Sequence, residues 1–149
     1  MMVEKTPLRV VAKLLIPLIL LFALYVQFHG DFGPGGGFQA GVIFAVAFIL
    51  YVLIFGVRVA RRVIPAAVSR NLLALGVLLY GGTGVVTMLL GGEFLDYNVL
   101  ASTVKGGQHL GIFVVEFGVG MTVAGAMVTI FYTFSGHVND ALPFRKGDR

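Results

Sequence analysis

From Phe38 to Val57 the chain reads FQAGVIFAVAFILYVLIFGV, a run in which Gln39 is the sole strongly polar side chain. An amphipathic helix would show a polar face every few residues and a half-buried strand would alternate; this run does neither. About twenty continuous apolar residues make a helix ~30 Å long, the thickness of a bilayer's hydrocarbon core. Working outward, the same reading finds three more spans, at about Val10–Phe28, Asn71–Gly91 and Leu110–Phe134. Because backbone in lipid must satisfy its own hydrogen bonds, a span is a helix or a barrel strand. Unbroken apolar runs choose the helix. The expected fold is therefore an all-α integral membrane protein with four transmembrane helices, forming one membrane domain over residues 1–149.

The composition agrees. Of 149 residues, 58% are hydrophobic and 12% charged, against ~45–50% apolar and ~25% charged in soluble domains. Disorder is excluded by the excess of apolar side chains. The absence of Cys excludes disulfides, thiolate metal sites, iron–sulfur clusters and cysteine nucleophiles, and no cofactor or metal is implied. A formal net charge of +4 does not indicate nucleic-acid binding, because the basic residues collect at the ends of the spans.

Lys5, Arg9 and Lys13 precede or open the first span, and Arg58, Arg61, Arg62 and Arg70 lie between the second and third. Arg145, Lys146 and Arg149 follow the fourth, which leaves Lys105 alone on the opposite side. By the positive-inside rule both termini and the middle loop are expected on the cytoplasmic side. Tyr25–His29 is bulky and offers no small-x-small cleavage site, so the first span is expected to be retained. Thr6-Pro7 reads as a helix start, and Pro17 is a candidate kink. The basic Arg58–Arg70 connection is too short for a domain. The Gly92–Gln108 loop is the longest connection, and Pro143 discourages helix in the tail.

Two constellations stand out. The first is the turn Gly33-Pro34-Gly35-Gly36-Gly37-Phe38-Gln39-Ala40-Gly41 between the first two spans. Pro34 fixes one φ angle, while Gly35, Gly36 and Gly37 permit conformations closed to other residues and let a neighbouring backbone approach closely. It reads either as a tight turn or as a segment re-entering a protein-lined site. No Gly-Lys-Ser/Thr follows, so it is not a phosphate loop.

The second is Glu116, the one carboxylate inside a span. An ionised acid in lipid costs at least ~2.5 kcal/mol, so Glu116 should face protein or water, as a pathway group or as a hydrogen-bonded packing residue. With a helix beginning near His109, Glu116 would lie roughly 10 Å inside it. His109 is two turns away on the same face, too far to share a metal with Glu116. It is either a member of one hydrated path or an interfacial residue marking the helix entry. Pairs such as Gly37/Gly41 and Gly107/Gly111, with further small residues in spans three and four, suggest close helix packing, including against other polypeptides. No nucleophilic triad accompanies the lone acid, and an enzyme is not expected. No tandem repeat supports an inverted-repeat transporter in one chain.

The segment Pro34-Gly-Gly-Gly-Phe38-Gln-Ala-Gly41 resembles the signature of the B subunits of Mrp-type multisubunit cation/proton antiporters, the MnhB family. Glu116-Phe-Gly-Val-Gly120, followed by Thr122-Val-Ala-Gly125 and Thr129-Ile130, is similar to that family's second hallmark. The likeness extends over nearly the whole chain, although many relatives carry Gly where Ala40 stands and Asp where Glu116 stands. The resemblance implies a non-autonomous subunit of a complex exchanging Na+ for H+ across the prokaryotic cytoplasmic membrane. It implies other antiporter subunits and membrane lipid as partners, and no nucleic acid. Glu116 and His109 are then ion- or proton-pathway candidates, and Pro34, Gly35, Gly36, Gly37, Phe38 and Gly41 form a structural motif. Two alternatives stay open: a self-sufficient homo-oligomeric proton-coupled transporter, and the equivalent subunit of a membrane-bound hydrogenase.

Overall fold

A computed structural model describes residues 6–30 and 35–141, with side-chain surroundings for 7–30 and 35–136. Pro34 of the turn motif, the tail's Pro143 and the terminal basic residues Lys5, Arg145, Lys146 and Arg149 lie outside the described residues. The described chain is helical throughout its long elements, with no strand among the described residues: α1 Thr6–His29, α2 Gly37–Phe55, α3 Val57–Val63, α4 Ala66–Leu89 and α5 Val104–Ala141. Four of these, all but α3, are long and apolar enough to cross a membrane. The all-helical, four-span expectation holds.

The element ends differ from the apolar boundaries, and each shift has a local cause. α2 stops at Phe55 because Gly56 takes φ 90°, a conformation that L side chains avoid. Its amide still bonds the Val52 carbonyl at 2.8 Å, and the chain turns into the short basic helix α3. α4 starts at Ala66, behind Pro65, five residues before the apolar run suggests. Its first turns contain Ser69 and Arg70, which a hydropathy reading discounts. Ser69 is nonetheless buried, donating to the Ala66 carbonyl at 3.0 Å and accepting from Thr129 at 3.1 Å. α5 starts at Val104, where the Thr103 hydroxyl accepts from the Gly106 amide at 3.2 Å. α1 is helical from Thr6, the first described residue, and runs unbroken through Pro17.

α5 is the hub, packed against α2 on one side and α4 on the other, while α1 lies against α2 and touches α5. Glycines make these approaches possible. A methyl group on Gly41 would stand 2.6 Å from the Gly120 carbonyl oxygen, and one on Gly125 would stand 2.7 Å from that of Ser69. One on Gly76 would meet Gly118 and Thr122. Most of the small residues are thus used inside the chain rather than against other polypeptides. Gly107 and Gly111 are a second correction: they seat Tyr97 of the α4–α5 loop, not a neighbouring helix. Gly81 and Gly82 of α4 face open space.

Near the α2–α3 junction Ala45, Phe48, Val52, Ala60, Val128 and Tyr132 form a buried cluster. Phe48 meets Tyr132 edge-on at 5.9 Å, and the Tyr132 hydroxyl donates to the Ile64 carbonyl at 2.8 Å. Arg61 lies over the Tyr132 ring and Arg9 over Phe55, at 5.4 and 5.8 Å, so each guanidinium is held against an aromatic face. Large side chains such as Leu14, Leu18, Leu53 and Leu78 point outward. Such a surface suits hydrocarbon or a neighbouring subunit, not water.

At the other end of α4 and α5, the Gly92–Thr103 region folds back over the helix ends. Phe94 covers Gly84, and a 3-10 turn spans Tyr97–Leu100. Thr87 anchors it: the hydroxyl lies 2.8 Å from the Gly84 carbonyl and 3.0 Å from that of Glu93, and accepts from the Leu95 amide at 3.0 Å. Leu95 is held there at φ 63°. Burial and the neighbouring Tyr80 push the Tyr97 phenol above its ordinary value near 10.

Candidate functional site

The two motifs singled out in the sequence meet. α1 ends at His29, the chain turns at Gly30, and after the undescribed 31–34 it returns as Gly35 and Gly36 to enter α2 at Gly37. The Gly36 amide donates to the Val26 carbonyl at 3.3 Å, which ties the return to the last turn of α1. Gly36 has φ 114° and ψ 174°, open only to glycine.

Across this turn lies Glu116 of α5. Its Oε2 occupies the space a Gly30 side chain would need, and its Oε1 stands 3.0 Å from where a Gly36 Cβ would lie. A Gly37 Cβ would collide with the Glu116 backbone carbonyl. The glycines therefore serve a close approach: they let two turns of backbone lie against one carboxylate and its helix. Glu116 is partly buried there and faces protein rather than lipid, as the cost of an intramembrane charge requires. Because α5 starts at Val104 and not near His109, Glu116 stands twelve residues into the helix, roughly 18 Å along it rather than 10 Å.

Gly41 packs one helical turn further on, against Gly120 and Val123. Of the remaining motif residues, Phe38 points outward, 64% exposed. His109 is on α5 two turns before Glu116 and is exposed, whereas the glycines around the carboxylate belong to the α1–α2 turn. His29, the last residue of α1, stacks on Tyr25 at 5.1 Å.

Sequence reading missed Gln27, a polar residue inside the first span. It is 8% exposed and its Oε1 faces Gly120, where a methyl group would stand 2.6 Å away. Gln27 thus lies at the same α1–α5 contact as Glu116, one helical turn further along α5. The signal was available: a polar amide in an apolar span obeys the same rule as the acid. Among the described residues, no group of three or more His, Cys, Asp and Glu could hold a metal ion. What the arrangement offers is one ionisable oxygen pair, walled by backbone, at a helix–turn contact inside the membrane span.

Comparison with known proteins supplies a context. A family model described as a domain related to the MnhB subunit of the Na+/H+ antiporter matches residues 7–129. Two similar proteins, from Staphylococcus aureus strains Newman and JH1, carry the name "Putative antiporter subunit mnhB2". Each is 36% identical over 132 residues, covering 87% of this chain and 93% of its own length.

Proposed function

The chain belongs to the MnhB family, and from that membership we infer its work: it is a membrane subunit of a multisubunit Na+/H+ antiporter. It is a transporter subunit rather than an enzyme, with the other antiporter subunits as partners. The relatives' names favour neither the self-sufficient homo-oligomeric transporter nor the hydrogenase subunit. The whole chain acts as one membrane domain in the prokaryotic cytoplasmic membrane, in contact with lipid. Both termini face the cytoplasm, in keeping with exposed Arg58, Arg61, Arg62 and Arg70 at one end of the bundle.

Within this reading Glu116 is a pathway residue for the H+ or Na+ that the complex moves, and His109 is a weaker companion nearer the membrane surface. The observation that supports it is the Glu116 carboxylate set against Gly30 and Gly36 in a span. A group that only filled space would not need an acid there, since a neutral side chain avoids the desolvation cost. The glycine turn gives the carboxylate a fixed position against a neighbouring backbone. The test is Glu116→Gln in the assembled complex, measuring cation-dependent collapse of a proton gradient in inverted vesicles. At least a tenfold loss with normal assembly is expected; unchanged exchange would leave Glu116 a packing residue.

A further inference from the structure

At the end of the bundle where α2 gives way to α3, basic side chains come from three elements. They are Arg9 and Lys13 of α1, Arg58, Arg61 and Arg62 of α3, and Arg70 of α4. The carboxylates with described side chains, Glu93, Asp96 and Glu116, lie in the α4–α5 loop and against the α1–α2 turn, toward the opposite end. Among the described residues two of the arginines have an aromatic face as neighbour: Arg9 lies over Phe55 and Arg61 over Tyr132. The Arg9 Nε is enclosed and has no hydrogen-bond partner. The terminal segments do not neutralise the charge, since this side's ten basic residues outnumber its acids, Glu4, Asp140 and Asp148, by seven. This end therefore presents a set of guanidinium donors, two of them already fixed against rings.

Two features favour a lipid leaflet over one acidic protein as the partner. First, exposed apolar side chains stand beside the charges: Val10 follows Arg9, Leu14 follows Lys13, and Val59 and Val63 follow Arg58 and Arg62. Charge is costly in hydrocarbon and apolar surface is costly in water, so a surface holding both belongs where acyl chains meet headgroups. Second, the charge runs across the breadth of the bundle. α1 packs on α2, and α4 packs on the other side of α5, so Arg9 and Arg70 belong to opposite flanks. One acidic subunit would meet one flank, whereas a leaflet meets both. A guanidinium held over a ring still offers N–H donors in a fork that fits a phosphate. We propose that this end of the chain binds anionic phospholipids through their phosphate groups, with Arg9 and Arg61 as fixed anchors. The proposal needs only that the chain spans a bilayer, and it is independent of any role for Glu116.

The test uses the assembled complex in phosphatidylcholine bilayers doped with one of two matched photoreactive lipids, a phosphatidylglycerol or a phosphatidylcholine. Each carries a diazirine near the headgroup end of one acyl chain, and adducts on this chain are mapped by peptide mass spectrometry. At low salt the phosphatidylglycerol probe should label Val10, Val59 and Val63 about fivefold more than the phosphatidylcholine probe, the order that one basic side chain near an anionic headgroup supports. At Leu89 and Leu90, exposed at the opposite end, the two probes should label alike. The preference should shrink in about 1 M salt. Arg58→Gln combined with Arg62→Gln should lower it at least about threefold at α3. Equal labelling by the two probes at the basic end would overturn the proposal, and so would a preference of the same size at Leu89 and Leu90. It also fails if Val59 and Val63 crosslink to another subunit instead of lipid, or if the double variant keeps the full preference. The two-probe comparison on the unaltered protein keeps the test decisive even if that variant does not assemble.

Discussion

Glu116 Oε1 stands 3.0 Å from the point where a Cβ on Gly36 would lie, and Gly36 itself holds φ 114°. These two residues lie in opposite halves of the sequence and constrain one another. The acid occupies the volume that a side chain on the turn would take, and the turn's left-handed backbone is open only to a residue without one.

The first prediction concerns that pair. Gly36→Ala adds a methyl group against the carboxylate and forces an unfavourable φ, which together should cost about 1–3 kcal/mol. Its thermal midpoint in mild detergent should fall by several degrees. Gly81→Ala is the control, since nothing lies within 4 Å of that position; in an α-helix it should be neutral or stabilise by about 0.5–1 kcal/mol. Equal effects of the two changes would refute the cradle.

Gly30 and Glu116 should be energetically coupled. Gly30→Ala collides with the carboxylate, and Glu116→Asp withdraws that carboxylate by one methylene. The double variant should recover part of the loss, with a coupling energy of about 0.5–3 kcal/mol in a double-mutant cycle on thermal stability. Strict additivity would mean that the two residues do not share the site.

Thr87 is predicted to hold the α4–α5 loop. Thr87→Val keeps the shape but leaves the buried bonds to Glu93 and Leu95 unmade. The loss should be about 1–3 kcal/mol. With Leu95 released from its positive φ, limited proteolysis should cut between Glu93 and Thr103 faster than in the parent chain.

Tyr97 carries a pH prediction. Burial raises its pKa in the folded chain above the unfolded value near 10, so folding favours the protonated phenol. The contribution is complete below pH 10 and declines as pH rises past it, because the unfolded chain then holds fewer protons than the folded one. Subtracting the 295 nm titration of Tyr97→Phe from that of the parent should give a curve centred above 10. A curve centred at or below 10 would contradict the burial.

The four spans were legible because hydrophobic length is a one-dimensional property, and each run is long enough to be read without knowing its neighbours. The ends were less legible. Pro65 and Thr103 start helices ahead of the apolar runs, where Ser69 and Arg70 in one case and Lys105 in the other interrupt the hydropathy. The small-residue pairs gave the right physics with partly the wrong partner: Gly107 and Gly111 admit Tyr97 from a nearby loop, and no spacing rule distinguishes a ring from a helix. Gln27 was visible as a polar break, but its burial against Gly120 depends on how α1 meets α5.

By itself, then, the sequence determined that this is a four-span helical membrane protein with a glycine turn and a single intramembrane acid. Hydrocarbon thickness and the cost of charge in lipid act on each segment separately. Only the tertiary structure decided that the turn and the acid are one site. It also made α5 the hub and buried the Gln27 amide against Gly120. Those outcomes depend on interhelical distance and rotation, which are set by the packing of all the helices at once and written in no single segment.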